Sequence, residues 1–413
     1  MSSRKPHHYI PALSLLLITF FFFFLYKAYR SHIHTLCFYN TVGNATLGFQ
    51  EILVISAPWR TDRRDAIALS TAYSGLRFSW IDGVVGKYIP EKAFPPGNHR
   101  GVSEGGRGSW RAHLDALRKV VQQNLTTALV LEDDADWDIR IKTQLLDFSA
   151  AARELPGLLA DKEEESSTEH TTIPYPSRPS LNQKKFKATP DLEIPAAAAP
   201  SSIPHTSLSQ PKTRSHPYGT TWDILWLGHC GTHLPPSTRI TFAADATVPA
   251  PRHLKLMAHA PLDDIAAIYP PYTRVVHRAN NTACTIAYAV TQAGARKMLY
   301  EFGVRAFEKG FDFALSDFCD GSTAKKGREA NSEEREKEAK ERRLLCLTIS
   351  PPLFAHHFPE KMTSDIQGHG AGFEGKKETR YVRWSVRMNL ERLMMAEEEE
   401  RVEDQWPDTN EKG

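Results

Sequence analysis

The feature that most constrains the fold is an apolar run that passes directly into a cluster of acids. Ala128–Leu131 is followed by Glu132, Asp133 and Asp134, and Asp136 comes two residues later. A short, bounded apolar run with β-branched content predicts an interior strand of an α/β sheet. Ligands of open α/β sheets bind outside the carboxyl ends of the strands, so these acids can hold a divalent cation against phosphate oxygens. The alternative interpretation is a solvated acidic loop.

Other segments predict strands and helices in alternation. Strands are expected at 49–56, 76–81 and 222–228, and helices at 63–73 and 110–123. Such alternation indicates a mostly parallel sheet flanked by helices. We therefore expect an α/β fold built around one main domain of about 250 ordered residues.

Three regions have compositions that do not favour a packed core. Residues 161–218 are rich in proline, serine and charge, and residues 321–343 are dense in lysine, arginine and glutamate. Such segments bury too little apolar surface to offset their ordering entropy, so we expect disordered insertions within a domain at 49–394. An acidic disordered tail is expected at 395–413. The net charge of +2, with both signs interspersed, excludes the basic face of a nucleic-acid-binding protein.

The N-terminal region predicts a membrane anchor. Residues 10–26 form an uncharged apolar run at the short end of what spans a bilayer, and Arg4 and Lys5 precede it. No small-residue cleavage site follows the run, which favours an uncleaved anchor over a signal peptide. We expect a cytoplasmic tail at 1–9, a transmembrane helix, a stem at 27–48 and a lumenal domain. The chain would then be a single-pass type II protein of the Golgi or ER membrane.

Cysteine usage fits an oxidising lumen. Of the five cysteines, Cys37 lies in the expected stem and four lie in the expected domain. Four cysteines allow three pairings, and we expect Cys230 to pair with Cys284 and Cys319 with Cys346. Three glycosylation sequons are compatible with lumenal exposure, and they begin at Asn44, Asn124 and Asn280.

Five short islands, taken in order, carry a family resemblance. They are Val54-Ile55-Ser56-Ala57-Pro58-Trp59-Arg60-Thr61-Asp62-Arg63-Arg64, Gly108-Ser109-Trp110-Arg111-Ala112-His113, Leu131-Glu132-Asp133-Asp134, Ala287-Tyr288-Ala289-Val290-Thr291-Gln292-Ala293-Gly294-Ala295-Arg296-Lys297, and Ser364-Asp365-Ile366. In this order and spacing they resemble glycosyltransferase family 25, the lipopolysaccharide and collagen galactosyltransferase group, in a fungal-type, membrane-anchored form. The resemblance implies a GT-A type fold, a UDP-sugar donor, usually UDP-galactose, and inversion at the anomeric carbon. It also implies a divalent metal, Mn²⁺ or Mg²⁺.

The acidic triplet resembles the metal-binding motif of that family. Mg²⁺ and Mn²⁺ take only one or two carboxylates beside diphosphate oxygens and water, so Asp134 is ranked first as a ligand and Glu132 second. Asp133 points to the opposite side by strand alternation and is expected to bind the nucleotide. Asp136 leaves a shifted register open. A late histidine, either His356 or His357, can complete the metal shell, and His357 is kept in the set of metal candidates.

Arginines that follow the first strand are candidates for binding the donor diphosphate or uridine. Arg60, in the loop, and Arg63 are the candidates, whereas Arg64 fits the first turn of a helix. His113 matches the family's histidine, although a buried hydrogen-bonding role fits a helical histidine as well. The remaining donor-site candidates are Gly294, which allows close backbone approach or close packing, and the late pair Ser364 and Asp365.

An inverting transfer needs a base for the acceptor hydroxyl. Asp312 is the expected base and Asp317 the alternate, while Asp312 also fits a helix-capping acid. The sequence thus predicts a metal-dependent glycosyltransferase that moves a hexose, galactose first of all, from a UDP-sugar to a hydroxyl of a glycan or glycoprotein. The alternative is a non-catalytic, membrane-anchored carbohydrate-binding or scaffolding protein that retains the fold.

Overall fold

The computed structural model describes most of the chain between residues 41 and 408. The described residues are 20–21, 23–24, 41–167, 202–204, 216–254, 265–321, 343–360, 377–395 and 402–408.

The expected transmembrane helix is the part of the fold prediction that is contradicted. Within the described residues, no helix has the length and apolar content needed to cross a bilayer. Of the run at 10–26, the structure describes only phenylalanines at 20, 21, 23 and 24, and the rest of the run lies outside the described residues, as do 1–9 and 25–40.

A twelve-stranded sheet forms the centre of the fold. Its strands are β1 (Glu51–Ser56), β2 (Ser79–Asp82), β3 (Thr127–Glu132), β4 (Ala135–Trp137), β5 (Ser202–Pro204), β6 (Ile224–Gly228), β7 (Arg239–Phe242), β8 (Arg274–Arg278), β9 (Ala287–Thr291), β10 (Cys346–Ser350), β11 (Phe354–Phe358) and β12 (Glu378–Thr379). The order is β2-β1-β3-β9-β6-β10-β8-β7-β5, and β11 joins β6, β4 and β12 at one end of β6.

The sheet is mixed, which corrects the expectation of a mostly parallel one. β1 runs parallel to β2 and β3, but β9 lies antiparallel between β3 and β6. Six of the eleven strand pairings are antiparallel. A buried apolar run indicates that a strand is internal and does not reveal its direction, so the sequence pattern could not distinguish these pairings.

Seven α-helices surround the described part of the sheet. They are α1 (Thr61–Tyr73), α2 (Glu104–Gln122), α3 (Ile141–Ser167), α4 (Ile265–Ile268), α5 (Gln292–Tyr300), α6 (Phe311–Asp320) and α7 (Leu390–Met395), with a π-helical turn at Glu301–Arg305. Short 3₁₀ helices lie at Gly86–Tyr88, Glu91–Ala93, His99–Gly101 and Pro251–His253.

Helix α2 shows how sequence pattern and packing agree. Trp110, Leu114, Leu117 and Val120 recur at helical spacing within the predicted helix 110–123, and all four are almost fully buried. Each such side chain contributes about 1.5–3 kcal/mol on burial. The helix begins earlier than predicted, because the hydroxyl of Ser103 accepts a hydrogen bond from the Gly106 amide and caps a glycine-rich first turn.

Strand β3 is buried on both faces. Leu129 and Leu131 belong to one hydrophobic cluster, and Ala128 and Val130 belong to a second cluster that includes the buried face of α2. Because side chains alternate along a strand, the two clusters lie on opposite faces of the sheet. The prediction of an interior strand is confirmed.

Several borders of the expected disordered regions are folded. α3 continues to Ser167, and Tyr218 is buried with its ring stacked on Phe49 at 4.5 Å. In the expected tail, Asp404 forms an ion pair with the buried Arg383. Long-range packing holds Tyr218 and charge pairing holds Asp404, and composition does not reveal such contacts. Residues 322–342 lie outside the described residues.

Two disulfides join elements of the domain. Cys230 is bonded to Cys284, and Cys319 is bonded to Cys346. Both expected pairings are confirmed.

Candidate active site

A cleft of about 270 Å³ lies at the carboxyl ends of β1, β2 and β3. These strands are parallel, and the register pairs Ile55 with Glu132 and Ser56 with Asp82. Their carboxyl ends therefore meet at one edge of the sheet. The acids after β3 emerge at this edge and line the cleft together with Arg63 and Trp59.

The wall opposite the acids is made by the loop after β2 and the first turns of α2. Gly86 and Gly108 allow the two segments to touch. A Cβ at Gly108 would collide with the carbonyl oxygen of Val84, and a Cβ at Gly86 would collide with that of Glu104. Any side chain at either glycine would push the loop from the helix, so glycine is required to fix this wall.

Arg63 bridges the two central acids of the cleft. Its Nη1 atom lies 2.7 Å from an oxygen of Asp133 and 2.9 Å from an oxygen of Asp134. Asp133 also accepts a 2.8 Å hydrogen bond from the hydroxyl of Ser56 at the end of β1. Burial raises the pKa of Asp133, and the neighbouring Asp134 charge raises it further against the pull of Arg63.

Asp134 offers carboxylate oxygens, the type of ligand that a hard cation takes. Its Oδ2 atom lies 3.1 Å from Nε2 of His356, and its Oδ1 atom is buried without a hydrogen-bond partner among the described residues. Burial opposes ionisation, but His356, Arg63 and Arg387 together hold the pKa of Asp134 well below its usual range. Asp134 therefore carries a charge and an unused oxygen at the cleft.

His356, and not His357, faces the cleft. β11 pairs antiparallel with β4, and successive side chains of β11 point to opposite faces. His357 instead places Nδ1 2.9 Å from the hydroxyl of Thr379, and burial lowers the pKa of His357 to about 3. His357, kept among the metal candidates, is therefore turned away from the cleft, and His356 is the histidine that lines it.

Asp136 is used as a structural anchor. Its carboxylate accepts hydrogen bonds from the hydroxyls of Thr379 and Ser385 and from the amides of Trp137 and Arg387. Burial raises the pKa of Asp136. Because its oxygens are occupied by these donors, the structure does not place Asp136 as a metal ligand.

Glu132 occupies a different part of the cleft from Asp134. Its Oε1 atom accepts a 2.7 Å hydrogen bond from Thr285 and lies 3.4 Å from Nε2 of His113. His113 is buried, lies with Nδ1 3.1 Å from the hydroxyl of Tyr288, and stacks on Phe311. His113 thus lines the cleft and orients Glu132.

The two candidate bases differ in their surroundings. Asp312 is the second residue of α6; burial raises its pKa, with a smaller contribution from the charge of Glu132. Asp317 forms an ion pair with Lys309. Neither aspartate lines the cleft, but Asp312 follows Phe311, whose ring stacks at 4.2 Å on the cleft-lining His113.

Two expected donor-site residues lie elsewhere. Arg60 binds the exposed Asp62 through two nitrogens at 2.9 and 2.7 Å, which lowers the pKa of Asp62 to about 2, and Arg60 does not line the cleft. Gly294 follows β9, whose last residue Thr291 pairs with Thr127 at the start of β3. Gly294 is therefore at the opposite edge of the sheet, where a Cβ would approach the Asp223 carbonyl to 2.6 Å.

The last two donor-site candidates, Ser364 and Asp365, lie outside the described residues. Sequence reasoning missed Ser56, Thr285 and Arg387 as partners of the acids. Ser56 is the last residue of the strand beside β3, so the predicted end of that strand could have indicated it. Thr285 and Arg387 reach the acids only through the tertiary fold.

Divalent cation binding fits this donor set. The described residues contain no group of three or more His, Cys, Asp or Glu side chains arranged around a common metal position. Asp134 and His356 nevertheless offer an unused carboxylate oxygen and an imidazole. Mg²⁺ and its analogues in nucleotide sites need few protein ligands, because substrate phosphates and water complete their coordination.

Comparison with known proteins gives a family match and a curated relative. Residues 49–305 match Glycosyltransferase family 25 (LPS biosynthesis protein). A stretch of 111 residues is 26% identical to Procollagen galactosyltransferase 1-B from Xenopus laevis, a match that covers 24% of this chain and 18% of that protein. The chain thus aligns with less than a fifth of the length of that curated relative.

These matches define the class of protein, which is a glycosyltransferase. The family match covers more than half of the chain, and the chain belongs to glycosyltransferase family 25. Neither match bears on the expected fungal, membrane-anchored type.

Proposed function

We propose that the chain transfers galactose from UDP-galactose to a hydroxyl group of a glycan or glycoprotein, with inversion at the anomeric carbon. Similarity to a galactosyltransferase supports the sugar, and an acid-lined cleft at the carboxyl ends of parallel strands supports a nucleotide donor. The observation that carries the proposal is the buried carboxylate of Asp134, a residue that lines the cleft and whose Oδ1 atom has no hydrogen-bond partner among the described residues.

Asp134 and His356 would hold a divalent cation, Mn²⁺ or Mg²⁺. When bound, the cation would offset the charge that develops on the departing diphosphate. Arg63 contributes a guanidinium at the same place, and it can shift from the acids towards phosphate oxygens, which it binds in a planar fork.

The proton of the acceptor hydroxyl needs a base on the opposite side of the donor sugar. Glu132 lines the cleft, is half-buried, and has its carboxylate oriented by Thr285 and His113. We assign the base to Glu132 and keep the neighbouring Asp312 as the alternate. Glu132→Gln and Asp312→Asn distinguish the two, because the variant that removes the base lowers kcat about 100-fold or more while donor binding is retained.

The central experiment measures UDP release from UDP-galactose by the full chain, with Mn²⁺ and with a chelator. Asp134→Asn should lower kcat about 100-fold. Asp115→Asn is the matched control, because Asp115 pairs with Arg111 and Arg118 and does not line the cleft. Turnover that is indifferent to both the chelator and Asp134→Asn would exclude the metal-dependent mechanism.

A carbohydrate-binding protein that retains the fold is distinguished by thermal unfolding. A glycosyltransferase should be stabilised by UDP with Mn²⁺, because a ligand that binds only the folded chain raises the free energy of unfolding. A binding protein should be stabilised by glycan and not by UDP with Mn²⁺.

We also propose that the domain resides in an oxidising compartment of the secretory pathway. The two disulfides and the exposed sequon residues Asn44 and Asn124 support this location. Secretory expression should yield a chain whose mass falls on treatment with peptide N-glycosidase. Asn44→Gln and Asn124→Gln should each remove one glycan, and a chain without glycans would count against the location.

A further inference from the structure

The C-terminal segment reaches the acids of the cleft from outside the part of the chain that matches the family. Val386 donates its amide to the carbonyl of Trp137 at 2.9 Å, and Ile139 donates its amide to the carbonyl of Trp384 at 3.0 Å. The segment thus runs alongside the loop that follows β4. Residues 384–387 lie well beyond 49–305, so this contact is not part of the family match.

Arg387 is the residue of this segment that contacts the acid loop most directly. Its Nη2 group donates a hydrogen bond to the carbonyl oxygen of Asp133, and its main-chain amide donates to the carboxylate of Asp136 at 3.1 Å. Arg387 is only 6% exposed, and its Nε atom has no hydrogen-bond partner among the described residues. A charge this deeply buried is costly unless it is paired and hydrogen-bonded, and for Arg387 the opposite charges are those of Asp136, Asp134 and Asp133.

The position of these contacts determines what Arg387 can do. The carbonyl of Asp133 belongs to the peptide bond between Asp133 and Asp134, so the guanidinium fixes the plane of that peptide. Fixing the peptide sets the directions in which the two carboxylates leave the backbone. Arg387 is buried beneath the acids and is not among the residues that line the cleft, so the donor phosphates would meet Arg63 and not Arg387.

We propose that Arg387 is a positioning residue that holds the Asp133–Asp134 peptide in the orientation needed to bind a divalent cation. This inference rests on the proposed function for the identity of the cation site. A purely electrostatic role makes the opposite prediction, because a fixed positive charge beneath the acids repels a cation, and its removal would tighten cation binding.

The test compares Mn²⁺ binding by the full chain, followed by the electron paramagnetic resonance signal of free Mn²⁺, across three variants. Arg387→Met removes the charge and the hydrogen bond. Arg387→Lys keeps the charge, but its side chain is one bond shorter, so the ammonium ends short of the place from which Nη2 donates to the Asp133 carbonyl. Arg383→Met is the matched control, since Arg383 lies in the same segment, is equally buried, and pairs with Asp404 and Asp408.

We expect both Arg387 variants to bind Mn²⁺ about 10- to 100-fold more weakly, as is typical when a residue that orients a metal ligand is lost. Arg383→Met should bind Mn²⁺ like the unaltered chain. If Arg387→Met does not fold, Arg387→Lys decides alone. The inference is overturned if Arg387→Lys binds normally, if Arg387→Met binds more tightly, or if Arg383→Met loses as much affinity.

The same experiment separates this inference from the proposed function. Mn²⁺ binding without galactose transfer by the unaltered chain overturns the proposed function, and the Arg387 comparison still decides the inference. Failure of the unaltered chain to bind Mn²⁺ overturns the inference, whereas transfer activity is then judged by the chelator experiment.

Discussion

The Nε2 atom of His356 lies 3.1 Å from the Oδ2 atom of Asp134. β11 carries the histidine to this place, because it pairs antiparallel with β4 directly after the acidic loop. The contact joins a late strand of the domain to the acids that follow β3.

Replacing each of the adjacent histidines by alanine should give different results. His356→Ala should raise the Mn²⁺ concentration needed for half-maximal turnover and lower kcat/KM for UDP-galactose about 10- to 100-fold, because a cleft-facing imidazole is lost. His357→Ala should cost about 1–3 kcal/mol of unfolding free energy, because it removes a buried ring and its 2.9 Å hydrogen bond to the hydroxyl of Thr379, which still donates to Asp136. Kinetics at varied Mn²⁺ and denaturant unfolding check both effects. Equal changes in Mn²⁺ dependence would contradict the assignment of His356.

Arg63 and Arg60 provide a second matched pair. Arg63→Ala leaves Asp133 and Asp134 buried without the guanidinium group that they share. It should therefore cost about 3 kcal/mol of unfolding free energy and weaken UDP binding. Arg60→Ala should cost less than about 1 kcal/mol, because its partner Asp62 is 64% exposed. Urea unfolding and UDP titration measure both. An effect of Arg60→Ala on UDP affinity as large as that of Arg63→Ala would place the donor site differently.

Each disulfide should contribute measurably to stability. The bonds close loops with sequence separations of 54 and 27 residues, and loop-closure entropy assigns about 4 kcal/mol to each. Replacing Cys319 and Cys346 together by serine should therefore lower the free energy of unfolding by about 4 kcal/mol without changing the cleft residues. Denaturant unfolding under non-reducing conditions checks this value. Equal unfolding free energies for the double variant and the unaltered chain would contradict this value.

The buried His229 should make the fold sensitive to mild acid. Burial lowers the pKa of His229 from about 6.5 to about 4, while its Nε2 atom bonds the Ile349 carbonyl at 2.9 Å. The unfolded chain binds the proton first as the pH falls. The free energy of unfolding should therefore decrease between pH 6.5 and pH 4, by about 3 kcal/mol in total from this group.

A His229 variant separates the effect of this histidine from that of groups that stabilise the fold as the pH falls. Burial raises the pKa of Asp320 to about 6, so Asp320 stabilises the fold as the pH falls below that value. His229→Gln keeps a donor for the Ile349 carbonyl but does not titrate. The unfolding free energy of the unaltered chain should fall more steeply than that of His229→Gln between pH 6.5 and pH 4. Parallel curves would show that His229 does not contribute.

How far the sequence predicts the site can be judged from particular residues. The run from Ala128 into Asp134 indicated an interior strand with acids at its end, and the structure places the acids at the carboxyl edge shared by β1, β2 and β3. Gly294 shows the limit of the same reasoning. Its strand β9 runs antiparallel to β3, so Gly294 lies at the opposite edge of the sheet.

The sequence by itself determined the buried strand, its acidic end, the amphipathic face of α2 and the family. Each of these depends on local periodicity or on motifs a few residues long. Only the tertiary structure decided that Asp136 is an anchor, that His356 and not His357 faces the cleft, and that Arg387 lies beneath the acids. Those outcomes depend on strand direction and on contacts between residues that are far apart in the sequence. No short stretch of sequence reveals either of them.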